Sequence, residues 1–257
     1  MNNKKNIIIH KRNEIIRGTD FYTLNTKKCF NAIYYLYQKN REITVLHEKT
    51  KISYSTLRTI MNLEKDNNYV EIINIALEEL QSTLIRLNNF ELNNKIYKWY
   101  STKFLNDVYV EKNDVISVTI EISTFFKKMI ISQKNFTELN LIQYLNKFRT
   151  KYAMKIYEYI KSFANYKYLD VTQKHLMILL NLDETSKYKY MSDLTILIER
   201  QLKEIVSKSD LKELKLYKNE ELRKNKIFRF KINKTAKKNT ASKEELEENL
   251  NKIIKRF

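Results

Sequence analysis

Three consecutive amphipathic helix patterns between residues 144 and 205 restrict the fold more than any other feature of this chain. The segments YLNKFRTKYAMKIYEYIKSF, LDVTQKHLMILLNL and KYKYMSDLTILIERQLKEI carry apolar residues at helical spacing. A hairpin pattern follows at once, with strands predicted at 213–217 and 227–232 on either side of a basic turn. Three helices followed by a basic hairpin are typical of a winged helix, which on a basic chain usually binds DNA.

The same order of helices and then strands occurs earlier in the chain. Helices are expected from Thr23 to about Gln38, over Ser53–Asn62, and from Asn68 onward with Leu84 and Leu87 on the apolar face. Alternating residues then predict strands at 95–100, 105–110 and 115–120. In the later unit, helices are expected at about 138–147, 149–163, 172–181 and 190–206, the third begun by a capping box of Asp170 and Gln173 or by Thr172.

These patterns predict an α+β, mainly helical fold with two tandem winged-helix domains. Residues 1–18 are expected to form a flexible basic arm, 19–135 the N-terminal domain, 136–237 the C-terminal domain, and 238–257 a helical tail. The segment 121–135 is rich in apolar residues rather than Gly, Pro or Ser, so a packed joint is expected there.

Composition restricts the partner and the chemistry. With 48 Lys and Arg against 30 Asp and Glu, the formal net charge is +18, which favours a polyanion such as nucleic acid, although an AT-rich genome also raises the lysine content. One glycine and no proline exclude a P-loop and a dinucleotide fingerprint, and leave turns to residues such as Asn. Cys29 is alone and is expected to be buried. No apolar run of about 20 residues is present, so no membrane partner and a cytoplasmic location are expected.

The candidate DNA contacts lie mainly on the last predicted helix and on the hairpin turn. The exposed side of that helix and the segment before it would read bases and contact phosphates, while the hairpin tip would contact the backbone or minor groove. A helix in the earlier unit would help to position phosphates. The candidates are Lys187, Lys189, Tyr190, Ser192, Thr195, Ile196, Arg200 and Lys203 on the helix, Arg223, Lys224 and Lys226 on the tip, and Ser53, Ser55 and Arg58 in the earlier unit.

Simpler interpretations compete with these. The helix charges could be an ordinary solvated face, and the hairpin lysines could protect an edge strand. Trp99, with Tyr97 and Tyr100, could stack on bases, but core packing is the favoured interpretation.

The residues do not favour catalysis. The three histidines, His10, His47 and His175, are scattered, so the paired histidines of a nicking site are missing, and no Asp-x-Asp pair suits two-metal chemistry. No enzyme activity, metal or cofactor is therefore expected.

The segment RTKYAMKIYEYI at 149–160 resembles the S-x-Y-A-x-x-L-Y-E-L-L signature of the Rep family of theta-type plasmid replication initiators. The run LLNL at 179–182 and the helix from Tyr190 to Glu204-Ile205 resemble the elements that follow it in that family. In the earlier unit, TLN at 23–25 and KWYSTKFL at 98–105 are similar to its first domain. The resemblance covers roughly residues 20–235. The predicted recognition helix departs from the family, since the basic residues after its Asp-aromatic or Asp-Leu pair are absent and its length to Glu204 is one residue short.

This resemblance implies two winged-helix domains without a catalytic site. The second would make most base contacts, and the first would support DNA binding and form a dimer. Monomers would bind directly repeated duplex sites, called iterons, dimers would repress their own gene, and the host initiator and replicative helicase would be recruited. The hypothesis is therefore a plasmid replication initiator; the alternatives are a winged-helix transcriptional repressor and a rolling-circle nicking enzyme.

Overall fold

The computed structural model describes residues 7–19, 22–40, 49–92, 95–132, 135–183, 185 and 187–232. The helix expected in the tail at 238–257 lies outside these ranges. The helices are α1 Asn13–Arg17, α2 Leu24–Lys39, α3 Tyr54–Met61, α4 Tyr69–Ser82, α5 Thr124–Ser132, α6 Lys151–Lys161, α7 Gln173–Leu179, α8 Met191–Lys208 and α9 Glu220–Lys224. The strands are β1 Ile8–Arg12, β2 Thr50–Ser53, β3 Leu84–Leu92, β4 Lys95–Lys103, β5 Leu105–Tyr109, β6 Ser117–Ile122, β7 Phe136–Asn140, β8 Tyr168–Thr172, β9 Lys215–Tyr217 and β10 Ile227–Lys231.

Two winged helices with the same topology follow each other in the chain. In the first unit, α2, β2, α3 and α4 precede β5 and β6, and the sheet order is β2-β6-β5. In the second unit, α6, β8, α7 and α8 precede β9 and β10, and the sheet order is β8-β10-β9. In both sheets the last strand lies between the other two, and its pairings are antiparallel. The predicted fold class, α+β with two tandem winged helices, is confirmed.

The helix starts follow from local capping. Thr23, Ser53 and Thr150 each accept a hydrogen bond from the backbone N–H three residues later, at the starts of α2, α3 and α6. Thr172 does the same for α7, with His175 N at 3.2 Å. Of the two caps considered for that helix, Thr172 is therefore the one used, whereas Asp170 binds Arg229.

Asparagine replaces glycine at the left-handed positions, as composition predicts. Among the described residues, positive φ angles outside glycine occur at Asn62, Asn135, Asn181 and Lys226. The one glycine serves a different purpose. A Cβ at Gly18 would lie 2.8 Å from the carbonyl oxygen of Arg86, so glycine is needed there for a close approach of two backbones.

The prediction of a flexible arm over residues 1–18 is wrong for the part of it that is described. Residues 8–12 form β1, which pairs antiparallel with β7, from Ile8 opposite Asn140 to Arg12 opposite Phe136. Ile9, Ile15 and Ile16 are buried. The polar and basic composition hid this strand because only every second residue of β1 faces the core.

Strand β7 also replaces a predicted helix. A helix was expected at about 138–147, but residues 136–140 pair with β1 and a single 3₁₀ turn follows at Leu145–Lys147. In the same way, Leu84 and Leu87 do not extend α4, which ends at Ser82; they belong to β3. Strand pairing decides both segments, since β7 pairs with the distant β1 and β3 pairs with the neighbouring β4.

The remaining predicted elements agree with the structure. The joint at 121–135 contains α5, which buries Phe126, Met129 and Ile130, and Cys29 lies in the core on α2. Burial raises the pKa of the Cys29 thiol well above its ordinary value. In the described part of the chain, every helix is too short or too polar to cross a bilayer.

Candidate DNA-binding site

Helix α8 is built as a recognition helix would be, with one buried stripe and one open side. Leu194, Leu197, Ile198, Leu202 and Ile205 are buried, as the 3.6-residue period predicts. The negative charge of Asp193 in the first turn interacts favourably with the positive end of the helix dipole. This interaction compensates for the lack of a side-chain cap at Tyr190. The buried stripe holds α8 against α6, and the opposite side remains exposed.

The candidate residues of α8 lie mostly on that exposed side. Ser192, Ile196, Arg200 and Lys203 are exposed, Ile196 by 65%. Thr195 is half-buried, and its hydroxyl donates to the Met191 carbonyl at 2.7 Å, so its oxygen is partly committed to the helix itself. An exposed apolar side chain beside hydroxyl and guanidinium groups is suited to the edges of a base pair in the major groove.

The segment before α8 is held in place by the preceding helix. Lys187–Lys189 form a 3₁₀ turn in which Lys187 lies over the ring of Tyr188 and Lys189 over that of Tyr190. The Lys189 carbonyl accepts a hydrogen bond of 2.6 Å from Nε2 of Gln173, the first residue of α7. Lys187, Lys189 and Tyr190 remain exposed, so their charges stay available while their backbone is anchored.

The hairpin tip carries the second group of candidates. The predicted turn contains a short helix, α9, capped by Asn219, and Lys226 follows it with a positive φ. Arg223, Lys224 and Lys226 are all exposed. The Lys226 carbonyl accepts from the backbone N–H of Gln173 at 2.8 Å. Gln173 thus bonds to the approach to α8 and to the last residue of the hairpin turn, which fixes these two elements relative to each other.

Two ion pairs show which charged side chains near this surface already have an ionic partner. Arg229 on β10 donates twice to Asp170 on β8, at 2.7 and 2.6 Å, and these bonds hold the pKa of the Asp170 carboxyl below its ordinary value. Lys218 at the start of the wing lies 2.7 Å from Glu199 on α8. In β10, Phe228 and Phe230 face the core, and Ile232 directly after it is buried as well.

The candidates in the first unit take part in local structure. Ser53 caps α3 and lies 3.1 Å from the hydroxyl of Ser55. Arg58 donates to the carbonyls of Leu63 and Glu64 and stacks over the ring of Tyr69. On α4, the topological equivalent of α8, the exposed side includes Glu71 and Glu78. The first unit therefore presents a less basic helix than the second.

The favoured interpretation of Trp99 as a core residue is wrong. Trp99 is 53% exposed and Tyr97 is 38% exposed, whereas Tyr100 packs on Phe125 with ring centroids 4.9 Å apart. Strand spacing correctly predicts that one face of β4 is covered. It does not show which, because Trp99 and Tyr100 point to opposite faces.

Nothing in the described part of the chain forms a metal cluster of three or more His, Cys, Asp or Glu side chains. His175 is mostly exposed on α7, and partial burial lowers its pKa. His10 lies on β1 beside Glu138, and His47 lies outside the described residues.

Sequence reasoning missed Gln173 as a positioning residue and Glu158 as a structural centre. Gln173 was assigned only to a helix cap, and its bonds to residues 189 and 226 depend on tertiary contacts. Glu158 is completely buried on α6. An acidic residue in the stretch AMKIYEYI, which is apolar apart from Lys155 and Glu158, was the available clue, since buried carboxylates need a partner.

The chain was compared with solved structures, curated proteins and family models. A crystal structure of domains 2 and 3 of RctB, obtained as selenomethionine derivatives, has a TM-score of 0.50 at 11% identity and covers 83% of each chain. A second crystal structure of RctB domains 2–3 has a TM-score of 0.39 at 10% identity, with 79% of this chain and 80% of that chain covered. No curated protein matches the sequence. The model of the family described as "Initiator Replication protein, WH1" matches residues 8–161, more than half of the chain, and the protein therefore belongs to this family of replication initiators.

Proposed function

We propose that the protein is a plasmid replication initiator that binds directly repeated duplex DNA at its origin. The observation that carries this proposal is the pair of hydrogen bonds made by Gln173, which fix the approach to α8 and the last residue of the hairpin turn on one platform. In a winged helix of this kind, α8 would enter the major groove and the wing would contact the adjacent backbone.

The charges on this surface support DNA as the ligand. Lys187, Lys189, Arg200 and Lys203 surround the open side of α8, and Arg223, Lys224 and Lys226 extend from the wing. Against them, Glu199 is already paired with Lys218. A chain with a net charge of +18 adds a long-range attraction to phosphate.

The experiment is a titration of the full chain with duplexes carrying two direct repeats from its own origin, two inverted repeats, or random sequence. We expect tight binding to the direct repeats. With about 6–10 phosphate contacts, affinity should fall about 10³- to 10⁵-fold between about 50 and 200 mM salt. Equal binding to all three duplexes, or no salt dependence, would contradict the proposal.

The same titration addresses the nearest alternative, a winged-helix repressor that does not initiate replication. A repressor would prefer an inverted repeat, because a twofold dimer matches a twofold site. The family assignment favours the initiator. The proposal also includes origin opening, recruitment of the host initiator and replicative helicase, repression by a dimer, and a cytoplasmic location. The protein would contribute binding energy to these steps rather than chemistry.

A further inference from the structure

The hairpin of β3 and β4 is an addition to the first winged helix that the duplex-binding surface does not use. It lies between α4 and β5, where the second unit has only a short connection between α8 and β9. The pairing of β3 with β4 runs from Leu84 opposite Lys103 to Leu92 opposite Lys95. In the described part of the chain, these strands form a separate two-stranded sheet.

Around Leu87, one face of this hairpin is core and the other is open; nearer its turn, Phe90 is buried as well. Ile85 and Leu87 are buried, and Tyr100, opposite Leu87, packs on Phe125. The alternate residues Arg86 and Asn88 are exposed, and Trp99 lies opposite Asn88. Residues that are directly opposite share a face, so Arg86, Asn88 and Trp99 form one exposed surface.

The aromatic residue on this surface is held in a defined position. The guanidinium of Arg86 lies 5.0 Å from the centre of the Trp99 ring. The backbone of Arg86 is itself fixed, since it exchanges two hydrogen bonds with Thr19, at 2.9 and 3.0 Å. Trp99 nevertheless remains 53% exposed, whereas Tyr97, two residues away on the same strand, lies opposite the buried Phe90 with its ring 6.4 Å from that of Tyr100. The indole therefore has one contact with a cation and a large area open to a further flat group.

The charge of the hairpin selects the kind of partner. Residues 84–103 contain four basic residues, Arg86, Lys95, Lys98 and Lys103, against the single acidic residue Glu91. The three lysines lie on β4, whose outer edge has no partner strand among the described residues. Edge pairing with a second copy would bring these lysines together, which is unfavourable. A polyanion has the complementary charge.

We propose that the surface of Arg86, Asn88 and Trp99 binds single-stranded nucleic acid, with a base stacked on Trp99 and phosphates near the lysines of β4. Exposed aromatic rings beside basic side chains are the means by which proteins hold unpaired strands. A duplex is a poorer ligand here because its bases are already stacked on one another and present only their edges. An initiator that opens its origin produces such a strand, but the binding itself does not depend on the proposed reading of repeats.

The chain offers its own reporter, because Trp99 is the single tryptophan. The full chain is titrated with an oligothymidine of about 20 nucleotides, longer than the roughly 4–16 nucleotides that one binding fold covers, and with a random duplex of equal length. We expect saturable quenching of the tryptophan fluorescence by the single strand and little change with the duplex. This measurement needs no variant, so it does not depend on whether a mutant folds.

Variants then test the stacking. By anisotropy of a labelled strand, Trp99→Ala should weaken binding about 5- to 100-fold, the effect of losing one base stack, while Trp99→Phe should restore part of it. The matched control is Tyr166→Ala, which removes an aromatic residue that is 61% exposed in the second unit and should leave the affinity unchanged. Binding of Trp99→Ala to direct-repeat duplexes should also be unchanged, so failure of this proposal and failure of the proposed function are separate results.

Two outcomes would overturn the inference. If Trp99→Ala binds oligothymidine as well as the wild type does, the lysines act only as a general polycation. If sedimentation shows a wild-type dimer that Trp99→Ala converts to a monomer, without a change in single-strand affinity, the hairpin is a contact between two copies.

Discussion

Lys11 Nζ lies 2.9 Å from Glu158 Oε1, and the two side chains are 3% and 0% exposed. Lys11 belongs to β1 and Glu158 to α6, so this ion pair joins the start of the chain to the first helix of the second unit. Asn31 of α2 also donates to the same carboxylate oxygen, at 3.4 Å. The junction of the two winged helices is therefore built around one buried carboxylate.

We expect Glu158→Gln to be strongly destabilising. Lys27 Nζ lies 3.9 Å from Glu158 Oε2, and Lys155 is buried nearby with its Nζ bonded to the Gly18 carbonyl. Removing the negative charge would leave buried lysines without compensation, which typically costs about 3–5 kcal/mol. Urea unfolding measures the change. Glu138→Gln is the matched control, because Glu138 is 49% exposed beside His10 and such surface pairs contribute about 0–1 kcal/mol. Equal losses in the two variants would contradict the central role of Glu158.

The pH dependence of stability should reveal the lowered pKa of Lys11. Burial, opposed by Glu158 and reinforced by Lys27 and Lys155, lowers the pKa of Lys11 from 10.5 to about 8. Between these values the unfolded chain binds more protons at this residue than the folded chain, so Lys11 contributes increasing stability as the pH rises from 8 towards 10.5. Lys11→Met lacks this contribution. The difference in unfolding free energy between wild type and variant should therefore move in favour of the wild type over this range, and a constant difference would refute the assignment.

Helix and wing should differ in what they contribute to DNA binding. Arg200→Ala or Lys189→Ala should weaken binding to origin repeats by about 1–3 kcal/mol per lost base contact and affect random duplex less. The double change Arg223→Ala, Lys224→Ala should weaken binding to both duplexes alike, because phosphate contacts do not depend on sequence. Lys128→Ala, an exposed charge on α5, is the control. Equal losses on both duplexes for the helix variants would show that base reading occurs elsewhere.

Gln173→Ala tests whether the platform matters to recognition. The variant keeps the backbone bond to Lys226 but loses the 2.6 Å bond to the Lys189 carbonyl. We expect a loss of roughly 1 kcal/mol in stability, as for a typical hydrogen bond, and a faster dissociation from origin repeats. Gln173→Glu, which cannot donate to this carbonyl, should behave like the alanine variant. Unchanged dissociation rates in both variants would remove Gln173 from the site.

The purified chain should show no nuclease, polymerase or ATPase activity. A single glycine leaves no phosphate-binding loop of the Walker type, and the histidines are scattered along the sequence. The assay is incubation of a supercoiled origin plasmid with Mg²⁺ or Mn²⁺, followed by gel analysis. Metal-dependent nicking abolished by a single Tyr→Phe change would support the rolling-circle alternative instead.

Local periodicity predicted the helices of both winged units well. α8 buries one regular stripe, and α2 and α6, which are buried on most sides over residues 26–34 and 153–160, each begin after a capping threonine. It failed where distant strands pair. β1 and β7 are short and polar on one side, and only their pairing makes them strands. β8, with Leu169 and Val171 as its inward residues, was too short to be recognised.

The candidate site, like the fold, was predictable only in its local features. The exposed charges of α8 and the wing were predictable from spacing and composition. The bonds of Gln173, the pairing of Arg229 with Asp170 and the exposure of Trp99 were not, because each depends on which elements become neighbours in three dimensions. The buried position of Glu158 had a trace in the sequence, and Lys155 lies on the same helix, but Lys11 and Lys27 come from separate segments.

The pairing of β1 with β7 sets an order on folding during synthesis. Residues 8–12 leave the ribosome early, yet their partners at 136–140 and the carboxylate of Glu158 are made more than 120 residues later. The first winged helix can assemble on its own nascent chain, but its leading strand must wait, with Ile9 and Lys11 exposed, until the second unit has begun to emerge. A truncated product that ends before β7 would therefore retain β1 as an unpaired strand. β1 can pair, and the first unit can finish folding, only after translation has passed the junction.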